Sequence, residues 1–286
     1  MQQIPEWRDV DRAAFDSEIV PRGEPAVVRS VVEDWPAVAS GKESRASLAR
    51  YLGGFDTGQP VTAMVAPPTE RGRFFYSEGF TGFNFTKRQG SVTEILGTLL
   101  DLATNETLGA VAVQAIPAPS VLPGFEQQNP LSLLDGSVGP RIWLGNRARI
   151  APHIDNDHNI ACVVAGTRRF TLFPPEQVEN LYVGPLLNTP GGAPISTVDL
   201  HELDLECHPR FEQALDAARE AVLEPGDAIY MPALWWHGVE ALDDLNVLVN
   251  YWWNEVPLDG DNPFHSLLHA MLAVARLPAD QRRSWG

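Results

Sequence analysis

Cysteine is nearly absent from this 286-residue chain. Cys162 and Cys207 stand alone, with no CxxC pair, which excludes a zinc ribbon and a thioredoxin-like redox motif. Two isolated thiols in a chain of this length fit a reducing cytoplasm, and a cytoplasmic protein is expected. No uninterrupted apolar run approaches ~18 residues, so no membrane span is expected. The first residues, Met1-Gln2-Gln3-Ile4-Pro5-Glu6-Trp7, have neither a basic region nor an apolar stretch, so no signal peptide is read there. Basic residues are scarce: 21 Lys and Arg face 37 Asp and Glu, a net charge of −16. So acidic a chain repels phosphate backbones, which makes nucleic acid an unlikely partner. No internal repeat and no long linker is visible.

Core residues and turns are plentiful. Apolar residues make up 44% of the chain, and 23 Gly with 24 Pro punctuate it densely. That pattern favours short strands over long helices. In the first third, residues 26–32 are β-rich, Trp35-Pro36 acts as a breaker after them, and residues 44–51 read as a short helix capped by Ser44. Residues 61–65 and 73–76 read as strands. Ser91 to Leu102 is an amphipathic helix with a Ser91/Glu94 capping box. Further on, strands are expected at 110–116, 141–144, 150–164, 168–173, 228–231 and 246–253, with a hairpin turn at Ala165-Gly166-Thr167. One helix is expected at about 209–221. A tail helix at 263–275 carries Phe264, Leu267, Leu268, Met271, Leu272 and Ala275 on one face.

Two of the seven histidines stand in informative places. His153-Ile154-Asp155 is an H-x-D on an expected strand, where side chains two apart project from one face. His237 comes after the Pro225-Gly226-Asp227 turn and the Trp235-Trp236 pair, and it is the candidate third ligand. Two His and one carboxylate, with three coordination positions open, form the facial triad of non-haem Fe(II) oxygenases. By parity His158 faces away from the ligands, whereas Asp157 shares their face. His201 and His208 read as members of a solvated loop, and His265 and His269 as a surface or interface pair. The clustered tryptophans read as core or pocket wall, and Cys162 as a small buried apolar residue.

Longer motifs surround the triad. His153-Ile154-Asp155 runs on to Asn159 and then to Gly166-Thr167-Arg168-Arg169-Phe170-Thr171-Leu172-Phe173-Pro174-Pro175. The second half reads Pro225-Gly226-Asp227-Ala228-Ile229-Tyr230-Met231-Pro232, Trp235-Trp236-His237-Gly238, and Asn250-Tyr251-Trp252. Over residues 140–256 the chain resembles the cupin-like branch of the Jumonji-C (JmjC) 2-oxoglutarate oxygenases. The type is the asparaginyl hydroxylase that inhibits the hypoxia-inducible factor; the tRNA wybutosine hydroxylase is similar too.

The resemblance implies a mainly β fold, a double-stranded β-helix or cupin jelly roll. Three regions are expected: N-terminal α/β decoration over 1–108, the catalytic core over 109–256, and a helical tail over 257–286 that serves as a dimerisation element. It implies Fe(II) held by His153, Asp155 and His237, with 2-oxoglutarate and O2 as cosubstrates. It places Asn159 and Asn250 in the cosubstrate pocket, with Gln114 and Trp143 beside them. The family sets a Lys thirteen residues after the Asp to pair with the distal carboxylate of 2-oxoglutarate; here that residue is Arg168, which keeps the charge. The family's hydroxyl residue three before the first His is Ile150 here. Its Tyr on the strand of Gln114 is also missing, with Val111 and Ala112 nearby. The expected activity is hydroxylation of a protein side chain, a peptide or a small molecule. Two alternatives stand beside it: a metal-binding cupin that acts without 2-oxoglutarate, and a non-catalytic binding module.

Overall fold

Side chains two apart on a strand share a face, and from Arg141 onward several strands are buried almost from end to end while others keep charged residues on the outer side. Arg168 to Phe173 shows the pattern: Phe170 and Leu172 are buried in the core, and Arg169 between them and Arg168 reaches out to Glu220 and Glu240 on the neighbouring strands. The computed structural model, which describes residues 1–104, 109–186, 188–254 and 263–285, hides those faces between two sheets.

In chain order the strands are β1 (Gln2–Gln3), β2 (Glu6–Trp7), β3 (Ala26–Val28), β4 (Val61–Ala66), β5 (Arg73–Phe74), β6 (Thr86–Gly90), β7 (Ala110–Pro117) and β8 (Arg141–Gly145). They continue with β9 (Arg149–Ile154), β10 (His158–Ala165), β11 (Arg168–Phe173), β12 (Arg219–Leu223), β13 (Ala228–Met231), β14 (Trp236–Ala241) and β15 (Asn246–Trp253). The smaller sheet runs β1-β12-β11-β14-β9-β5 and the larger β2-β3-β13-β10-β15-β8-β7-β4-β6. Of the last eight strands, β8, β10, β13 and β15 belong to the larger sheet and β9, β11, β12 and β14 to the smaller. This crossing back and forth is a double-stranded β-helix, and the fold is mainly β as expected. Segments before residue 118 extend it: β2 and β3 lengthen one side of the larger sheet, and β7, β4 and β6 the other.

The core between the sheets includes Val27, Ala161, Val163, Phe170, Leu172, Leu223, Ile229, Met231 and Leu248. Two tight turns keep the strands in register. Glu224-Pro225-Gly226-Asp227 closes with Asp227 N donating to Glu224 O, and Gly226 takes φ +109°, a conformation that favours glycine. Gly166, at φ +73° between β10 and β11, leaves room for Asn246; a Cβ there would meet its side chain.

The capping box of the helix Val92–Leu102 forms, and Ser44 caps the helix Arg45–Gly53 as expected. Three local expectations need correction. Pro36 does not end structure but opens a helix, Pro36–Glu43, because a proline at the first helical position lacks only an N–H that would be unpaired anyway. The helix expected at 209–221 stops at Ala217, and Arg219–Leu223 becomes β12, its edge claimed by β11 on one side and β1 on the other. The single strand expected at 150–164 is two strands, β9 and β10, in different sheets, with the chain turning at 155–157.

Residues 253–286 form a second unit. Within it the helix Pro263–Ala275 forms as expected, and Leu267 and Met271 are exposed. The expected regional boundaries, after residues 108 and 256, fall at segments outside the described residues. None of the helices among the described residues is long and apolar enough to cross a membrane.

Candidate metal centre

The register of two strands builds the site. β9 and β14 pair antiparallel with His153 directly opposite His237. Cross-strand partners share a face and bring their side chains within reach, and the two imidazole centres lie 4.1 Å apart. Asp155 stands just past the end of β9, where its carbonyl accepts from Leu234 N at 2.9 Å. That bond ties the 155–157 turn to the turn leading into β14. His237 Nε2 is 3.5 Å from Asp155 Oδ2, and one ligand atom from each of the three residues lies within 4.8 Å of the others. Among the described residues this is the one such cluster of His, Cys, Asp and Glu.

Both imidazoles are oriented from behind. His153 Nδ1 lies 3.0 Å from the carbonyl of Ala151, and His237 Nδ1 lies 3.1 Å from that of Trp235. A carbonyl only accepts, so each Nδ1 carries the proton and each Nε2 offers its lone pair to the centre. Burial and the neighbouring His153 push the His237 pKa down to about 4. The ring is therefore neutral at pH 7, and no proton has to leave before a cation binds. The carboxylate is held as firmly: Asp155 Oδ2 accepts from Asn159 Nδ2 at 3.1 Å and from the indole Nε1 of Trp252 at 3.0 Å. Asn159 Oδ1 accepts from Asn250 Nδ2 at 3.1 Å, and Asn250 Oδ1 accepts from Trp143 Nε1 at 2.7 Å. Every donor in this series of bonds points toward the Asp155 carboxylate.

A cavity of about 180 Å³ adjoins the triad, and Arg168, Asn159, Asn250, Gln114 and Trp143 all line it. Arg168 comes from β11, on the same face as Phe170. It is 9% exposed, its Nε has no hydrogen-bond partner, and burial lowers its pKa to about 10. Burying a guanidinium with an unspent donor costs solvation, and an anionic partner would offset that cost. Ala112, Ile150 and Arg168 share the wall of a small adjoining void of about 40 Å³, so the small residue on β7 does leave space beside the long side chain. Gln114 reaches the cavity because β7 bulges between Val113 and Ile116, with Ala115 at φ +52°.

A family described as a cupin-like domain matches residues 12–259.
The chain belongs to that family.
Its relatives include Lysine-specific demethylase JMJ31 of Arabidopsis thaliana, 37% identical over 112 residues, which is 39% of this chain and 20% of that one. Jumonji C domain-containing protein 5 of Drosophila melanogaster is 34% identical over 41% of this chain and 28% of its own length. tRNA wybutosine-synthesizing protein 5 of Danio rerio is 34% identical over 42% of this chain and 32% of its own length. The chain thus spans about a fifth to a third of the length of these curated relatives.

The other titratable residues of this cupin-like domain lie elsewhere. His158 bonds Tyr230 Oη through Nδ1 at 2.8 Å and stacks on its ring. Asp157 is not on the cavity wall; the turn between β9 and β10 breaks the parity that put it on the ligand face. His201 sits 3.6 Å from Glu240 on the outer face of the smaller sheet, beside a separate cavity of about 340 Å³. His208 bonds the Asp204 carbonyl. Cys162 is fully buried, which raises its thiol pKa, and Cys207 is exposed; neither is bonded to the other. Sequence reasoning missed the bond from Trp252 to Asp155. The signal was there: Leu248, Asn250 and Trp252 alternate along β15, so Trp252 shares the face of Asn250.

Proposed function

We propose that this domain is an Fe(II)- and 2-oxoglutarate-dependent oxygenase that hydroxylates a protein side chain or a small molecule. One observation carries the reading: the His153/Asp155/His237 triad shares its cavity with Arg168, a buried cation whose Nε is unspent. The donor set fits the metal, since two neutral imidazoles and one carboxylate suit Fe(II) and leave positions for other ligands. The orphaned guanidinium fits the distal carboxylate of 2-oxoglutarate, which it would hold through charge-assisted bonds. Once bound, iron and 2-oxoglutarate supply the oxidising chemistry that activates O2. The protein's own residues have narrower tasks. The Ala151 and Trp235 carbonyls aim the two Nε2 lone pairs, Asn159 and Trp252 hold the carboxylate, and Phe170, Leu248 and Met231 keep water from the inner wall. The names of the relatives, a lysine-specific demethylase and a tRNA wybutosine-synthesizing protein, agree with an oxygenase centre of the JmjC type, and hydroxylation is the outcome we expect from the motifs around the triad.

The test is release of succinate from 2-oxoglutarate by the iron-loaded protein, with Asp155→Ala as control. A metal-only cupin is the second reading. It is favoured by Ile150, which stands where the family has a hydroxyl residue, and by the missing Tyr on the strand of Gln114, where the nearby Val111 and Ala112 offer 2-oxoglutarate no side-chain hydrogen bond. Failure of 2-oxoglutarate to bind the metal-loaded protein would select it. The tail residues 257–286 are proposed as a homodimerisation element in a cytoplasmic enzyme, because Leu267 and Met271 on the helix are exposed. Light scattering of Leu268→Asp against the unaltered chain tests this; a monomer in both rejects it.

A further inference from the structure

Arg141 packs against two residues that line the same cavity, Ala115 and Trp252, and among the described residues no carboxylate pairs with it. It lies on β8 two residues before Trp143, so it shares the cavity-facing side of the strand, and it pairs in register with Asn250. Its guanidinium packs over the indole of Trp252, with Cζ 5.4 Å from the ring centroid. That indole donates its N–H to Asp155 Oδ2. The arginine is therefore held one indole away from a metal-binding carboxylate. Its hydrogen bond from Nη1 to the Ala115 carbonyl is long, at 3.5 Å, and the guanidinium has five N–H donors to place.

Apart from Arg168 inside the cavity, several arginines on or beside the strands do meet carboxylates. Arg73 meets Asp199 at 3.2 Å, Arg149 meets Glu240 at 3.8 Å, Arg169 meets Glu240 at 2.6 Å and Arg29 meets Asp227 at 2.7 Å. In a chain with 37 acidic and 21 basic residues, carboxylates are in excess, and Arg141 still has none among the described residues. A forked, always-charged donor set on an aromatic platform matches an oxyanion from outside.

We propose that Arg141 is the specificity-determining residue of the site and that the substrate carries an oxyanion, a carboxylate or a phosphate, which this guanidinium binds while the carbon to be oxidised enters the cavity. This rests on the oxygenase reading above. It sets this domain apart from a lysine-directed enzyme, because a cationic side chain brought to the mouth would meet a like charge.

The experiment uses the full chain loaded with Zn(II), which binds the triad without redox chemistry, and saturated with 2-oxoglutarate so that Arg168 is occupied. Calorimetry compares four probes: the methylamides of N-acetylglutamate, N-acetyl-O-phosphoserine, N-acetylglutamine and Nα-acetyllysine. At least one of the two anionic probes should bind, and which one it is separates carboxylate from phosphate. Arg141→Gln should weaken that binding about tenfold or more, and Arg141→Lys should restore part of it. An unchanged affinity in Arg141→Gln overturns the proposal. So does a neutral or cationic probe that binds the unaltered protein as well as both anions, or the absence of anion binding at millimolar concentration. If 2-oxoglutarate itself does not bind, the oxygenase reading has failed separately. The same titrations in an Arg168→Met background then read Arg141 alone.

Discussion

Arg168 offers the sharpest test of how the site is built, because stability and binding should move in opposite directions. The side chain is buried, its Nε has no partner, and desolvation alone brings its pKa down to about 10. At about 1.36 kcal/mol for each tenfold change, that drop corresponds to about 3 kcal/mol of lost solvation in the ligand-free protein. Arg168→Met keeps the length of the stem and removes the charge. The variant should therefore be more stable than the unaltered chain by up to about 3 kcal/mol, a rise in Tm of about 6 °C at about 2 °C per kcal/mol for a chain of this size. The same change should cut 2-oxoglutarate binding at least about a hundredfold, since two charge-assisted hydrogen bonds at about 1.5–3 kcal/mol each are removed. Differential scanning calorimetry with Zn(II), with and without 2-oxoglutarate, reads both effects. The cosubstrate should raise Tm of the unaltered protein and leave the variant unmoved. A variant that is several degrees less stable without ligand, or a cosubstrate shift equal in both proteins, would refute the reasoning.

The same geometry sets three other outcomes. Asp155→Ala should lower bound Fe(II) to near zero by elemental analysis while the far-ultraviolet circular dichroism stays unchanged; full occupancy would remove Asp155 from the ligand set. Trp252→Phe keeps a ring but deletes the N–H to Asp155, so Zn(II) affinity measured by competition with a chelator should fall about 10–100-fold; an unaltered affinity would show that the indole only fills space. In metal-free protein His237 takes up a proton near pH 6.5 when unfolded but only near pH 4 when folded. Its contribution is therefore fully present above pH 6.5 and is lost as pH falls toward 4, by up to about 3 kcal/mol. Urea midpoints should drop more steeply over that window for the unaltered protein than for His237→Gln, and parallel curves would count against a neutral buried imidazole.

Much of this protein was legible in one dimension. The H-x-D at 153–155, the Pro225-Gly226-Asp227 turn and the Trp235-Trp236-His237 run are local patterns, and each meets a local demand: a ligand pair, a left-handed glycine, a strand start. Composition foretold short strands for the same reason, since turn residues act where they stand. The features that stayed hidden depended on partners far away in the chain. Residues 219–223 carry enough helical propensity to extend the preceding helix, and they become a strand because β11 and β1 supply ladders on both sides. The stretch 150–164 reads as a single strand, yet the turn at 155–157 sends its halves into opposite sheets. That turn leaves Asp155 free of the ladder and removes Asp157 from the ligand face. The cross-strand register that sets His153 against His237, the indole of Trp252 on Asp155, and the contrast between Arg169, which finds Glu220 and Glu240, and Arg168, which finds no carboxylate among the described residues, are likewise products of the two packed sheets. Two adjacent arginines look alike in sequence. Strand parity sends one to solvent and the other inside, and only the packed sheets decide which of them is buried with its Nε unpartnered.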